Sequence, residues 1–320
     1  MFNFFRRKLK QIAPSTCNAR LPKNIDSSYI AEEKIDGIRF LMYLGGDNTT
    51  KNGMPNSLLS RNRTNKTYID KAANVPHITA NDYGLDKTVL DGELLLNDFD
   101  TTNSLIGMKP DKAISQDKAT YYVFDILFYK GKDLRNLPLY DRQQILFDLV
   151  DQLGNEHIKC VRTYYNNFKY EFTRIVKNGG EGLIIKDLEA PYGKGWAKYK
   201  KVYDVSAFIT GFKYGNGKNK DLVCSLELSV YHNRRLKRIG FVNVANHKLR
   251  HEITANKKRY KKQIVDLFAM EMTKNGILRQ PSLHRFRNDV NVKSITLDKL
   301  KRDIETNLRH NREKSNDYRP

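Results

Sequence analysis

The stretch EEKIDGIR, residues 32–39, sets one lysine among carboxylates just before the apolar run IRFLMYL. Two readings of Lys34 compete. In one it is half of a surface ion pair with Glu32, Glu33 or Asp36, which is worth little. In the other it is a nucleophile. A lysine amine is protonated at neutral pH and must lose a proton before it attacks phosphorus. Neighbouring cations favour that loss and carboxylates oppose it. K-x-D-G by itself favours the solvated turn, so the rest of the chain has to decide.

Working outward, residues 38–44 read as a strand with Ile38, Phe40, Met42 and Leu44 on one face. GGDNTTKNGMPN is a turn-rich loop, and SLLSRNRTNK a second strand leaving on an Arg-rich turn. TVLDGELLL (88–96) and TYYVFDILFY (120–129) are two more strands, with residues 97–119 between them a polar loop. The spacing predicts helices over 140–153 and over YNNFKYEFTRIVKNGG, the latter closed by Gly179–Gly180. GLIIKD and WAKYKKV are further strands. Near 202–206 the pattern changes to β-rich runs with turns: SAFITGF, LVCSLELSVY and LKRIGFVNV. HEITANKKRYKKQIVDLFAMEMT then reads as helical, with KKRYKK a solvated face, and a basic tail covers 298–320. The chain is therefore expected to be α+β. Residues 1–203 form a mixed domain with a short basic N-terminal arm, and residues 204–320 a small barrel such as an OB-fold.

Charge narrows the partner. The formal net charge is +21. Residues 204–320 hold 26 basic and 12 acidic residues against 31 and 24 in residues 1–203, so the excess is concentrated in the barrel half. Such a chain favours a polyanion, nucleic acid first. An anionic membrane surface is the rival, weakened because no long basic amphipathic helix dominates. Cys17, Cys160 and Cys224 are far apart and form no CxxC, which predicts neither a zinc site nor a disulfide framework and suits a reducing, cytoplasmic compartment. No apolar run approaches a membrane span, and MFNFFRRKLK has no secretory pattern; it reads as a frayed or weakly helical arm.

Other charged strand ends bear on Lys34. Asp91 and Glu93 share one strand face in LDGELLL. Glu181 follows a Gly–Gly turn and Lys186 ends the same run. Trp196, Lys198 and Lys200 share a face by the period of two. Two same-face lysines repel each other unless an anion lies between them, and Glu93 with Glu181 offers a Mg²⁺ site of the usual one or two carboxylates plus substrate phosphate. Each cluster alone reads as a charged strand edge. Four of them in strand contexts argue for a phosphate-handling site.

In order, EKIDGIR, SRNR (60–63), LDGELLL, YYVFDILFYKGKDLRNLPLYDRQQIL (121–146), EGLIIKD and WAKYKK resemble the motifs of ATP-dependent DNA ligases, within the covalent nucleotidyltransferases. The resemblance covers about residues 28–290, and it is to the minimal viral or bacterial type. It implies ATP-grasp-like antiparallel sheets with helices in the first domain and an OB-fold in the second. It implies that Lys34 forms a phosphoramide with AMP, that Glu32 and Phe124 hold adenine, and that Glu93 contacts ribose or metal. Arg39 and Arg61 would meet the ribose or the nick, and Asp36 would assist sealing. Glu181 would hold the metal, Mg²⁺ or Mn²⁺, while Lys186, Lys198 and Lys200 would neutralise the α-phosphate. Lys34, Asp36, Lys198 and Lys200 are the catalytic set it implies. In the barrel half, LRQPSLHRFRNDV departs from the family's R-x-D-K pattern by Val290; Arg287 is kept as the residue orienting pyrophosphate, an Arg-rich phosphate-binding surface being the alternative. Asp204 is either an inter-domain pivot or an ordinary turn aspartate.

The expected partner is nicked double-stranded DNA, bound by a monomer in a bacterial cytosol or a virus-infected cell. The competing readings are an RNA ligase or GTP-dependent capping nucleotidyltransferase, and a non-catalytic DNA-binding protein with a ligase-like fold.

Overall fold

The computed structural model describes residue 22 and residues 25–45, 54–64, 67–113, 118–273, 275–306 and 308–310, without the side chains of 61–64, 67 and 308–310. The N-terminal arm, Cys17 and the tail beyond 310 lie outside them. The chain divides into two compact units, Met1–Lys200 and Lys201–Pro320.

The first unit carries two sheets. Their strands are β1 (Tyr29–Glu33), β2 (Ile38–Leu44), β3 (Ser57–Thr64), β4 (Thr67–Asp70), β5 (Thr88–Leu95), β6 (Thr120–Tyr129), β7 (Lys132–Asp133), β8 (Ile158–Cys160), β9 (Thr163–Tyr164), β10 (Gly182–Asp187) and the start of β11 (Trp196–Tyr214). Strands β4-β3-β2-β5-β6-β7 form one sheet, with β8 parallel to β6. Strands β9-β1-β10 and residues Trp196–Lys200 of β11 form the other, all antiparallel. Alternation decides the faces. Phe40, Met42, Leu44, Leu90, Leu94, Tyr121 and Val123 turn into the first sheet's core, so Arg39, Asp91, Glu93 and Phe124 are left to its other face. In the second sheet Ala31, Leu183, Ile185, Ala197 and Tyr199 pack on Phe172, Ile175 and Val176 of the helix Phe168–Lys177. Burying each of the larger apolar side chains, Phe172, Ile175, Val176, Leu183 and Ile185, contributes on the order of 2 kcal/mol. The residues between them in sequence, Glu32, Ile184, Lys186, Lys198 and Lys200, take the opposite face.

Residues 97–119 are not the loop expected. Phe99–Gly107 is a helix, started by a capping box in which Asp98 accepts from the Thr101 amide and Thr101 Oγ1 accepts from the Asp98 amide. Its Thr102, Leu105 and Ile106 are buried. The helix Leu139–Leu153 follows the predicted span and ends on Gly154 at φ +59°.

The second unit holds a closed five-stranded barrel, the architecture of an OB-fold. With β12 (Val223–His232), β13 (Arg235–Asn243), β14 (Ile264–Ala269), β15 (Glu271–Met272), β16 (Leu278–Arg279) and β17 (Ser282–Arg287), the order around it is β11-β12-β13-β17-β14 and back to β11. WAKYKKV and SAFITGF, expected as two strands, are one: β11 gives Trp196–Lys200 to the first unit and Tyr203–Tyr214 to the barrel. The long helix expected over 251–273 is also corrected. His247–Ala255 is helical, Lys257–Tyr260 adds one turn, and Lys262 at φ +67° breaks the path. IVDLFA then forms β14, all six residues buried between β11 and β17. A strand buried on both faces carries no alternation to separate it from a helix. KKRYKK is a single exposed turn with Tyr260 buried, not an extended helical face. Leu297–Thr306 is a helix.

Candidate active site

Lys34 sits in the short link between β1 and β2, where two glycines fix its place. Its amide donates to the Gly182 carbonyl at 2.9 Å. Gly182 has φ +138°, and a Cβ there would come within 2.4 Å of the Tyr199 carbonyl oxygen. A Cβ on Gly37 would come within 2.3 Å of the Leu94 carbonyl oxygen. KIDG therefore passes against β5 on one side and EG against β11 on the other, with no space for a side chain at either glycine. The Lys34 ammonium meets the Glu181 carboxylate in an ion pair, so the two motifs touch across 147 residues of sequence.

Around that pair the charges are arranged in two layers. Arg39 grips Asp91 with both arms, Nε to Oδ1 at 2.9 Å and Nη2 to Oδ2 at 2.5 Å, and Tyr192 donates to the same Oδ2 at 2.5 Å. Bidentate geometry of this kind is the strong form of the contact. The Arg39 guanidinium lies 5.1 Å from the Phe124 ring centre. Burial pushes the Glu93 carboxyl up to about 7, with Lys34 and Arg39 pulling it partly back.

Deeper in, Lys186 and Glu32 form a buried pair, Nζ to Oε2 at 2.5 Å. Lys186 also donates to the Phe124 carbonyl at 2.9 Å and lies 4.3 Å from the Trp196 ring centre. Gln143 Nε2 donates to the second oxygen of Glu32 at 3.1 Å. Burial raises the Glu32 carboxyl and Lys186 opposes that rise. Next to Gln143, the fully buried Arg142 binds Asp125 through two 2.8 Å contacts and donates to the Leu137 carbonyl. That fixes the helix Leu139–Leu153 on β6 beside Phe124. Trp196 Nε1 is buried with no hydrogen-bond partner among the described residues, a donor without an acceptor in a wall of this site.

The expected residues are thus distributed plainly. Lys34 and Glu181 meet; Glu32, Lys186 and Phe124 meet; Arg39 and Glu93 are register partners across β2 and β5. Lys198 is exposed and Lys200 half-buried on β11, at register with Ile184 and Gly182. Asp36 is half-buried in the link. Arg61 lies in β3, its side chain outside the description. Arg287 is in the second unit, held by Asp289 through 2.9 and 2.6 Å contacts, with Asp266 at 3.5 Å. The Lys186 ammonium lies against Glu32, the Phe124 carbonyl and the Phe124 and Trp196 rings. Sequence reading missed Gln143, Tyr192, the Arg142–Asp125 pair and Ile184, which lies beside Glu32 in register. Ile184 was legible as the alternate residue of GLIIKD; the other partners are joined only by the fold.

A profile described as ATP dependent DNA ligase domain matches residues 10–202, the span that holds every one of these contacts except those of Arg287. The chain belongs to the ATP-dependent DNA ligase domain family. A probable DNA ligase of Beutenbergia cavernae is 26% identical over 241 residues, 70% of this chain and 44% of the relative. A DNA ligase of Methanocorpusculum labreanum is 28% identical over 223 residues, 62% of this chain and 37% of the relative. The chain thus spans less than half the length of these two curated relatives. Among solved structures, one from a study of Lig E DNA ligases as a minimal scaffold for DNA binding superposes with a TM-score of 0.63 at 22% identity, over 86% of this chain and all of that one. A structure described as Pmar-Lig_Pre. gives 0.64 at 21% identity, over 81% of this chain and 63% of that one. These likenesses establish the fold of the ligase-domain chain. The family match is to DNA ligases, which disfavours the capping and RNA-ligase readings.

Two carboxylates, Glu93 and Glu181, flank Lys34 in its electrostatic surroundings. No cluster of three or more metal-ligating side chains occurs among the described residues. Two hard oxygen donors suit Mg²⁺ or Mn²⁺, which takes its remaining ligands from water and phosphate. No helix among the described residues is long and apolar enough to cross a membrane.

Proposed function

We propose that this chain seals nicks between a 5′-phosphate and a 3′-OH in duplex DNA, through a lysyl-AMP intermediate on Lys34. The observation that carries the reading is the Lys34–Glu181 pair. It joins an amine and a carboxylate, with half-buried Glu93 in their electrostatic surroundings, and Lys198 and Lys200 stand on β11 in register with Ile184 and Gly182.

The chemistry follows from the side chains. Glu32 and Phe124, tied together through Lys186, receive the adenine edge and face of ATP. Lys34 attacks the α-phosphate in line, its proton passing to the Glu181 carboxylate or to water, and pyrophosphate leaves. Lys198 and Lys200 neutralise the charge that develops on the phosphoryl oxygens. Orienting pyrophosphate is the role that the motif resemblance implies for Arg287. AMP then passes to the 5′-phosphate of the nick. Arg39, held rigid by Asp91 and Tyr192, and Arg61 bind the nick phosphates, and Asp36 assists the 3′-OH as it displaces AMP. Glu93 and Glu181 would hold Mg²⁺ or Mn²⁺, which when bound supplies further neutralisation of phosphate charge. The rest of the barrier is lowered by positioning.

Nicked duplex DNA is the partner, approached by a monomer with a net charge of +21, in a reducing, cytoplasmic compartment. The test uses ATP and GTP labelled at the α-phosphate, with Mg²⁺ and a denaturing gel, on the wild type and Lys34→Ala. Label from ATP on the wild type alone, followed by sealing of a nicked duplex, supports the reading. Label from GTP alone points to capping. No label, in a protein whose mass shows no bound AMP, leaves a DNA-binding protein without this chemistry.

A further inference from the structure

We propose that Gln143 sets the base specificity of this nucleotide site by holding Glu32 as a pure hydrogen-bond acceptor, so that a 6-aminopurine is taken and a 6-oxopurine refused. The inference rests on the reading above, that Lys34 takes up a nucleotide whose base meets Glu32.

Glu32 is a buried carboxylate with both oxygens occupied: Lys186 Nζ on Oε2 at 2.5 Å and Gln143 Nε2 on Oε1 at 3.1 Å. An ionised carboxylate has about four acceptor positions, so two donors fix its plane and leave the remaining lone pairs for one further donor. The exocyclic amine at C6 of adenine is such a donor. The C6 carbonyl of hypoxanthine or guanine is an acceptor, and would face the carboxylate oxygen to oxygen. A protonated Glu32 would reverse that preference, because its O–H would bind the carbonyl. The protein therefore needs Glu32 ionised in a place where burial works against it.

Lys186 supplies the opposing charge, but it bonds only one oxygen. Gln143 donates an N–H to the other, which favours the ionised form over the protonated one. The helix that carries Gln143 is itself immobilised one residue earlier, where Arg142 binds Asp125 on β6 with two 2.8 Å contacts. Asp125 adjoins Phe124, whose carbonyl receives Lys186. The acceptor that reads the base edge and the ring that stacks on its face are thus set by one connected frame. Gln143 touches Glu32 rather than the reacting atoms, so it is a positioning residue. Sites that present a fixed polar pattern discriminate strongly, because the wrong ligand leaves buried groups unpaired.

The test compares covalent labelling of Lys34 by α-labelled ATP and α-labelled ITP, which differ at C6, in the wild type and in Gln143→Met. The wild type is expected to prefer ATP at least tenfold in the second-order labelling rate. In Q143M that preference is expected to fall at least tenfold, with KM for ATP rising and ITP labelling gaining in absolute rate. Damage to the fold alone would lower both nucleotides in proportion, and that result overturns the proposal. So does a Q143M preference within twofold of wild type. Gln143→Asn, which keeps the amide but withdraws it by one methylene, is read the same way should Q143M not fold. Equal labelling of the wild type by ATP and ITP also overturns the proposal without any variant, whereas absence of label from either nucleotide overturns the reading beneath it.

Discussion

Arg39 stands opposite Glu93 in the ladder between β2 and β5, yet it gives its guanidinium to Asp91, two positions back on the same strand. The choice neutralises the fully buried carboxylate and leaves Glu93, the more accessible of the two, to respond to whatever enters beside Lys34. A cation or a ribose at Glu93 meets a group whose charge is adjustable near neutral pH.

That makes Glu93 a stability probe. Its folded pKa is about 7 against an ordinary 4.5, so folding takes up a proton between those values. Below 4.5 both states are protonated and Glu93 costs nothing. As pH rises through 7 the folded protein must bear a buried charge, and stability falls by up to about 3 kcal/mol. Glu93→Gln is expected to match wild type near pH 4.5 and to exceed it at pH 8 in EDTA, measured by urea unfolding across pH. Parallel curves at all pH would refute the assignment.

Arg142 and Asp125 test the frame beneath the base site. Removing the arginine leaves a buried carboxylate without its partner, which costs roughly 3–5 kcal/mol. Arg142→Met is expected to lose that much in denaturant unfolding, and Asp125→Leu combined with Arg142→Met to recover much of it. A double variant as unstable as the single one would show that the helix Leu139–Leu153 needs the charges themselves.

The space beside Gly37 gives a kinetic prediction. A methyl group there would meet the Leu94 carbonyl oxygen at 2.3 Å, so Gly37→Ala must shift the link that carries Lys34. A displacement of about 1 Å costs on the order of 100-fold in a positioned reaction. Rapid-quench measurement of lysyl-AMP formation should show a loss of that size; a rate within threefold of wild type would mean the link is slack.

Cys160 is a control on the interior of the first unit. Burial pushes its thiol up to about 12. Iodoacetamide at pH 8 should leave it unmodified in the native protein and alkylate it in urea, followed by peptide mass spectrometry. Rapid native labelling would indicate that β8 opens easily.

Salt tests the use of the basic charge. Each phosphate contact to duplex DNA adds about 0.9 to the slope of log binding constant against log salt. Fluorescence anisotropy with a nicked duplex in rising KCl should fall steeply, and sealing with it. A flat profile would show that the charge serves something other than the DNA backbone.

How much was legible follows from periodicity. IRFLMYL and TVLDGELLL each lie with one face in a core, and alternation exposed them as strands with their charges in the correct places. The helix Phe99–Gly107 was hidden because its cue is a side-chain cap, Asp98 with Thr101, rather than an apolar run. IVDLFA was misread because burial on both faces erases alternation. Lys34 and Glu181 were named from sequence as separate candidates; that they touch is a product of the fold. Gln143 looked like one more polar position on an amphipathic helix, and only the 111-residue reach to Glu32 gives it a purpose.

The backbone contact from the Lys34 amide to the Gly182 carbonyl also bears on how such a chain can be altered. Gly182 cannot acquire a side chain without colliding with β11, and Gly37 cannot without colliding with β5. A mutagenesis library aimed at new nucleotides should therefore hold both glycines constant and place its diversity at Gln143, Ile184 and Tyr192, side chains that border the site without carrying its backbone path. Diversity placed there leaves intact the two points where one strand leans on the next.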